Sequence, residues 1–102
     1  MTAIDRYTFI RLVAEQATPD GRAEAIAAIR AGLAAVAGLT RLTVGTPADD
    51  SASRWDVSVV ARFATLDDLN AAMAGDAWRA TFEDIAARAV VVKSWSFAVD
   101  ER

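Results

Sequence analysis

The chain has 102 residues, of which 54% are hydrophobic and 25% charged, a composition that predicts one ordinary globular domain, residues 1–102. The formal net charge of −3 disfavours nucleic acid and anionic membrane surfaces as partners. Because the chain contains neither Cys nor His, thiolate and imidazole nucleophiles and the usual zinc and haem ligands are excluded, and we expect no metal and no cofactor. The sequence has no secretory signal pattern and no apolar run near ~18 residues, so we expect a cytoplasmic protein.

The first half of the chain predicts a strand, a helix and a second strand. Residues 7–14 are dense in β-forming side chains and carry apolar groups on both faces. Thr18 and Pro19 are typical of a helix start, and Gly38 of a helix end. Residues 39–45 predict the second strand. Between Pro19 and Gly38 an apolar stripe recurs at helical spacing: Ile26, Ile29, Leu33 and Val36.

The clearest strand spans residues 54–63, after an extended loop over residues 46–53. The alternation of its side chains predicts an apolar face and a mixed face. Asp56 belongs to the mixed face, together with Arg54 and Arg62. The residues of the predicted apolar face are Trp55, Val57, Val59, Ala61 and Phe63.

The second half closes with a helix and a strand. Thr65 is a typical N-cap for the helix, and Gly75 interrupts its periodicity, which predicts a break or a new helix start. Trp78 and Phe82 resume the apolar stripe at a spacing of four residues. Residues 90–99 predict the last strand, again with large apolar groups on both faces.

The order of these elements predicts an α+β, ferredoxin-like βαββαβ fold, in which a four-stranded antiparallel sheet carries two helices on one face. Two helices on one face leave the other face of the sheet uncovered. The first and last strands carry large apolar residues on both faces, and an exposed patch of that size is unusual for a monomer. We therefore expect the uncovered face to meet a second copy of the chain.

The central strand and the elements after it resemble the stress-responsive α/β-barrel (Dabb) family. The resemblance is carried by residues 55–69, by the helix break near Gly75 and by the closing strand. It implies a homodimer in which two sheets pack face to face into a dimeric α/β barrel. Members of the family often carry a His in strand 1 and a His-containing turn in helix 2. Here these positions fall on Tyr7 and Trp78, so the His-dependent chemistry of the family does not carry over.

The resemblance also implies a pocket between sheet and helices that binds a small apolar or aromatic molecule. Trp55 and Trp78 offer wide, flat walls for such a ligand. Alternatively these aromatic residues build the core, as aromatic residues at strand and helix spacing usually do. The candidate ligand-binding residues are Phe9, Trp55, Val57, Val59, Trp78 and Phe82.

Three polar residues are candidates for catalysis: Tyr7, Arg11 and Asp56. Arg11 interrupts a face of strand 1 that we expect to be buried, and with Tyr7 it is a candidate for orienting a carboxylate or an enolate. Alternatively, Arg11 reaches an edge of the sheet or pairs with a carboxylate across the dimer. Asp56 is a candidate general base; alternatively, it belongs to a network of charges that lines the dimer.

The sequence leaves three functions open. The first is a homodimeric small-molecule-binding barrel protein. The second is an enzyme, for which the resemblance implies cofactor-independent chemistry of a polyketide cyclase, an isomerase or an antibiotic-biosynthesis monooxygenase. The third is a non-catalytic regulatory module that senses a ligand, since topology alone does not determine function.

Overall fold

The computed structural model describes residues 2–100. Within these residues the chain forms β1 (Ile4–Leu12), α1 (Pro19–Leu33), β2 (Leu39–Gly45), β3 (Val57–Phe63), α2 (Leu66–Ala74), α3 (Asp76–Arg88) and β4 (Ala89–Ala98). Short 3-10 turns follow β1 at Ala14–Gln16 and precede β3 at Asp50–Ala52.

The strands form one antiparallel sheet in the order β2-β3-β1-β4, and the helices pack on one of its faces. Alternate residues of β1 and β3 enter one core with the helices, between the sheet and the helices. Its fully buried large side chains include Ile10, Ile29, Leu33, Phe63, Leu69 and Ile85. The predicted α+β, ferredoxin-like βαββαβ fold is confirmed.

The helices begin where the sequence predicts them. The Thr18 side-chain oxygen accepts a hydrogen bond from the Gly21 amide at 3.0 Å, and Thr65 accepts one from the Asp68 amide at 3.1 Å. Both bonds satisfy an amide that the first turn of a helix leaves without a partner. Gly75 separates α2 from α3, so the predicted helix break is also confirmed.

The bounds of the first strand differ from the prediction. β1 begins at Ile4 rather than at Tyr7, and it ends at Leu12 rather than at Ala14. The first three residues of β1 combine apolar Ile4 with the charged Asp5 and Arg6, so local sequence does not indicate a strand there. Ile4 nevertheless pairs with Phe63 of β3 and Ala98 of β4. Pairing on both sides extends β1, because a central strand satisfies its backbone groups through two neighbours.

The predicted start of the central strand, at residue 54, is also wrong. β3 begins at Val57, and the Trp55 amide donates to the carbonyl of Ala52 at 3.0 Å instead of joining the ladder. The Trp55 ring packs against Phe9, with ring centroids 5.7 Å apart, whereas Val57 is buried against the helices. Trp55 and Val57 therefore do not share a face, because the strand alternation does not extend back to residue 55.

Helix α1 ends at Leu33, before the predicted end at Gly38. The amide of Val36 donates to the carbonyl of Leu33 at 3.1 Å, which continues the chain as a turn rather than as a helix. Gly38 has a φ of 84°, a left-handed conformation that suits glycine, and it directs the chain into β2.

Candidate functional site

The face of the sheet that turns away from the helices is termed the open face. It is formed by the odd-numbered residues 5–11 of β1 and 91–97 of β4, the even-numbered residues 58–62 of β3, and Arg41 and Thr43 of β2. Across β1 and β4 the register sets Tyr7 opposite Trp95, and Phe9 opposite Lys93. Since side chains alternate along a strand, the open face collects the aromatic residues of both strands.

An aromatic cavity of about 490 Å³ lies on the open face, lined by Tyr7, Phe9, Trp95 and Phe97. Tyr7 and Phe97 meet edge to face with ring centroids 5.6 Å apart, and the Phe9 and Trp95 centroids are 6.0 Å apart. Trp95 is 47% exposed and Phe97 57% exposed. In the chain alone, these large rings therefore keep much of their surface in water.

A second, smaller depression adjoins Phe9. It has a volume of about 250 Å³ and lies between Trp55 and the loop that carries Pro47. Phe9 separates it from the aromatic cavity, because Phe9 lines both. Of the predicted ligand-binding residues, Phe9 and Trp55 are therefore close together on the open-face side.

Other predicted ligand-binding residues lie in the core on the helix side of the sheet. Val57 and Val59 are each 1% exposed, and Val57 also reaches the depression beside Trp55. Trp78 is 8% exposed and packs against Phe63 and Phe82, with centroids 6.1 Å and 4.9 Å away. Trp78 also lines a depression of about 210 Å³ on the helix side, together with Val36 and Gly75. The aromatic cavity of about 490 Å³ lies on the opposite face of the sheet, and a ligand pocket on the helix side stays a prediction. The structure divides the predicted binding set between the two sides of the sheet.

Asp5 and Arg62 form an ion pair on the open face. Arg62 Nε donates to Asp5 Oδ1 at 2.8 Å, and Arg62 Nη2 donates to Asp5 Oδ2 at 3.0 Å. These hydrogen bonds, with the positive charges of Arg62 and Arg41, hold the pKa of Asp5 below its ordinary value, although burial acts in the opposite direction. The pair therefore keeps Asp5 ionised.

Asp56 lies away from the aromatic cavity, at the end of the sheet next to α1. Its Oδ2 accepts a hydrogen bond from the Leu12 amide at 2.8 Å, and its Oδ1 accepts from Arg22 Nη2 at 2.8 Å. Asp56 precedes β3, and the cation that it pairs with is Arg22 of α1. Its place in a network of charges that lines the dimer stays a prediction. The role of Asp56 as a general base stays a prediction.

Arg11 and Lys93 lie on the open face near one end of the aromatic cavity. Arg11 is exposed in the single chain, on a face that the sequence predicts to be buried. Within residues 2–100, neither Arg11 nor Lys93 forms an ion pair or a side-chain hydrogen bond. Tyr7 lines the cavity, so the structure brings Tyr7 and Arg11 to one face and places Asp56 elsewhere.

Residues 2–100 contain no group of three or more acidic, His or Cys side chains that could hold a metal ion. No helix among these residues is both long enough and apolar enough to cross a membrane.

Trp95 and Phe97 line the cavity, although neither belongs to the predicted ligand-binding residues. The alternation of β4 placed them correctly on one face, but their position beside Tyr7 depends on the register between two strands far apart in the sequence. One signal for the cavity is present in the sequence: Tyr7 and Phe9 are two residues apart in β1, and Trp95 and Phe97 are two residues apart in β4, so each pair lies on one face of its strand.

Comparison with known proteins identifies relatives by fold. No family model matches the chain, and no curated protein sequence matches it. A dimeric ferredoxin-like protein of unknown function from Thermobifida fusca is 24% identical, with a TM-score of 0.81 over 96% of this chain and 92% of that chain. A Dabb family protein with a ferredoxin-like fold from Mesorhizobium loti is 10% identical, with a TM-score of 0.81 over 99% and 100% of the two chains.

An enzyme also shares this fold. SnoaB, a cofactor-independent oxygenase from Streptomyces nogalater, is 14% identical to the chain, with a TM-score of 0.73 over 98% of this chain and 95% of that chain. At these identities the likeness establishes the ferredoxin-like fold and leaves the function open. The structures that share the fold thus include a Dabb family protein, as the sequence resemblance predicted.

Proposed function

We propose that the chain forms a homodimer through its open face, and that the aromatic cavity binds a small apolar or aromatic molecule between the two sheets. The observation that carries this proposal is the aromatic cavity itself, which lies on the sheet face that the helices leave uncovered. Its volume of about 490 Å³ falls in the range of roughly 300–1,000 Å³ that small-molecule sites occupy.

The exposure of Trp95 and Phe97 supports the dimer. Both side chains are about half exposed in the single chain, beside the partly buried Tyr7 and Phe9. Each Å² of apolar surface removed from water contributes roughly 25 cal/mol, so a second copy on this face gains from burying the rings. Fold relatives described as dimeric, such as the Thermobifida fusca protein, agree with this assembly.

A symmetric dimer also explains how an open concavity becomes a binding site. In a two-fold interface the same patch of each subunit faces the other, so the sheet of the partner closes the mouth of the cavity. Closure buries most of the surface of a small ligand, as tight binding requires. The cylinder formed by two such sheets is the dimeric α/β barrel that the sequence resemblance implies.

The dimer is tested by a charge placed on the open face. Phe97→Asp sets a carboxylate in the proposed interface, whereas Leu66→Asp sets one at a 52% exposed position on α2, on the helix side. In size-exclusion chromatography with light scattering we expect dimers for the wild type and Leu66→Asp, and monomers or insoluble protein for Phe97→Asp. A soluble Phe97→Asp dimer, or a monomeric wild type at micromolar concentration, contradicts the proposal.

The ligand is tested by native mass spectrometry on protein purified gently from its own host. A dimer that carries a defined extra mass supports the cavity as a ligand site, and Trp95→Ala is expected to lose that mass. An empty dimer that also fails to bind an uncharged aromatic probe such as phenylnaphthylamine contradicts the ligand site. That outcome favours a module whose function is the dimer interface.

Cofactor-independent catalysis is the second candidate function, with the reaction classes of a cyclase, an isomerase or a monooxygenase. It is supported by Tyr7, a polar aromatic residue that lines the cavity, and by the fold that the chain shares with SnoaB. The test is product formation or oxygen uptake with ring-hydroxylated aromatic compounds and no added cofactor. Tyr7→Phe is expected to abolish turnover and retain binding; turnover that survives in Tyr7→Phe contradicts a catalytic role for Tyr7.

Whether the protein binds its ligand or also converts it, we propose that it acts in the cytoplasm and in a response to stress.

A further inference from the structure

The charges of the open face differ from those of the whole protein. The formal net charge of the chain is −3, yet the strand residues of the open face include Arg11, Arg41, Arg62 and Lys93 against the carboxylate of Asp5. Asp5 is already paired with Arg62. The open face is therefore a basic, aromatic surface on an acidic protein.

These cations are not evenly spread around the aromatic cavity. Arg62 and Arg41 lie with Asp5 around a separate depression of about 180 Å³, toward β2. Arg11 and Lys93 lie at the other end of the aromatic cavity. In the β1–β4 pairing, Lys93 is the cross-strand partner of Phe9, and Arg11 is the cross-strand partner of Val91. Diagonal neighbours on one face of an antiparallel pair are about 7–8 Å apart, so the two cations are neighbours beside Phe9.

The juxtaposition of Arg11 and Lys93 has an electrostatic cost. Arg11 and Lys93 are like charges at diagonal positions, which repel each other weakly while they are exposed to water, and within residues 2–100 no carboxylate pairs with either side chain. Covering the face with a second copy increases the cost, because water is displaced and the two-fold axis repeats the cations. An anion between the two cations removes this cost.

We propose that the ligand of the aromatic cavity is an anion: an aromatic or apolar molecule whose ring lies among Phe9 and Trp95 and whose carboxylate, sulfonate or phenolate lies between Arg11 and Lys93. This inference rests on the proposed ligand site and names the class of molecule that the site takes. Arg11 offers a planar fork of donors for two oxygens, and Lys93 offers a point charge that adapts to the position of the anion.

The test uses two fluorescent probes that share a ring system and differ in charge. Anilinonaphthalene sulfonate carries one negative charge, and phenylnaphthylamine is its uncharged parent. We expect the wild type to bind the anionic probe several-fold more tightly at low salt, with the difference shrinking as salt rises. In the double variant Arg11→Gln, Lys93→Gln we expect the affinity for the anionic probe to fall about tenfold and the affinity for the neutral probe to change less than about twofold.

A matched control removes the same charge from elsewhere on the protein. Arg30 and Arg79 are exposed cations on α1 and α3, on the helix side of the sheet. The double variant Arg30→Gln, Arg79→Gln therefore has the same net charge as the open-face variant. We expect it to bind both probes as the wild type does, which separates a local effect of Arg11 and Lys93 from the overall charge.

The remaining outcomes distinguish this inference from the ligand site itself. Wild-type binding of both probes, with the anionic probe unaffected by the open-face variant, overturns the anion inference and leaves the aromatic cavity in place. The anion inference is also overturned if the open-face variant changes dimer dissociation and not probe affinity. In that case the two cations pair with carboxylates of the second copy. A wild type that binds neither probe overturns the ligand site and the anion inference together.

Discussion

Arg22 and Asp56 connect the first turn of α1 to the residue that precedes β3. Arg22 Nη2 lies 2.8 Å from Asp56 Oδ1, while Asp56 Oδ2 accepts the Leu12 amide at the end of β1. One carboxylate, 6% exposed, thus holds together a helix, the end of one strand and the start of another. Its partners are a backbone amide at the end of β1 and the Arg22 side chain of α1. These partners favour a structural role for Asp56 over the role of a general base.

Replacement of Asp56 by Ala is expected to destabilise the protein by about 2–3 kcal/mol. The change leaves the buried Leu12 amide without its acceptor and Arg22 without its carboxylate, and an unsatisfied buried group costs about 1–3 kcal/mol. Urea unfolding measures the loss. Asp50→Ala, at an exposed position in the loop, is the control and is expected to change stability by less than about 0.5 kcal/mol. An equal effect of the two substitutions contradicts the structural role of Asp56.

The elements of this fold could be predicted from local signals. Thr18 and Thr65 cap the helices because a cap needs only the amide two or three residues ahead, and Gly75 breaks a helix in the same local way. The start of β3 is different. It depends on the Asp56 amide, which donates to the Ile10 carbonyl at 2.8 Å across the sheet. Such a long-range contact has no trace in the residues around it.

The candidate site depended on the same kind of long-range information. The alternation of residues 54–63 predicts Trp55 on the face of Val57, but the strand begins only at Val57. Tyr7 and Trp95 meet only because β1 and β4 pair in one register, and the sequence of either strand alone allows others. The composition of the faces was therefore predictable, and the location of the cavity was not.

The ion pair of Asp5 with Arg62 predicts a pH dependence of stability. Because the pKa of Asp5 is lower in the folded protein than its ordinary value of 3.8, the stability from its ionised form is fully present above about pH 4. This contribution is lost as the pH falls through the lowered pKa. In Asp5→Asn we expect a lower stability at neutral pH and a shallower decline of stability between about pH 4 and about pH 2.

Urea unfolding at a series of pH values measures the Asp5 effect. Asp50→Asn removes an exposed carboxylate of the loop and serves as the control, expected to follow the wild-type curve. If Asp5→Asn and the wild type lose stability in parallel as the pH falls, the ion pair does not contribute in the way that its geometry indicates.

A close approach of α1 to α3 predicts an unusual effect at Gly32. Alanine normally stabilises a helix interior relative to glycine by up to about 1 kcal/mol. At Gly32 an added methyl group would collide with Thr81 Oγ1, which itself donates to the Ala77 carbonyl at 2.7 Å. We therefore expect Gly32→Ala to destabilise the protein by about 1–3 kcal/mol, since overpacking outweighs the gain in helix propensity.

The cause of the Gly32 effect is isolated by a second substitution. Thr81→Ala removes the oxygen that the new methyl group meets, so the double variant is expected to be more stable than the sum of the two single effects predicts. Thermal unfolding of the four proteins measures this coupling. Strict additivity would mean that α1 and α3 separate to accommodate the methyl group.

The two sides of the sheet predict opposite consequences for two tryptophans. Trp78 belongs to the core on the helix side, packed on Phe63 and Phe82, so Trp78→Ala is expected to cost about 3–5 kcal/mol of stability. Trp95 is 47% exposed and lines the aromatic cavity. We expect Trp95→Ala to weaken phenylnaphthylamine binding at least several-fold, because a wall of the cavity is removed.

The two tryptophan variants are compared by unfolding and by probe titration of the folded fraction. Trp78→Ala is expected to retain the probe affinity of the wild type wherever it remains folded, since Trp78 lies on the other side of the sheet. A loss of probe affinity in Trp78→Ala with none in Trp95→Ala would contradict the ligand site on the open face. It would support a site on the helix side, as the sequence resemblance implies. Because the cavity and the core share no tryptophan, one pair of substitutions decides which side of the sheet binds the ligand.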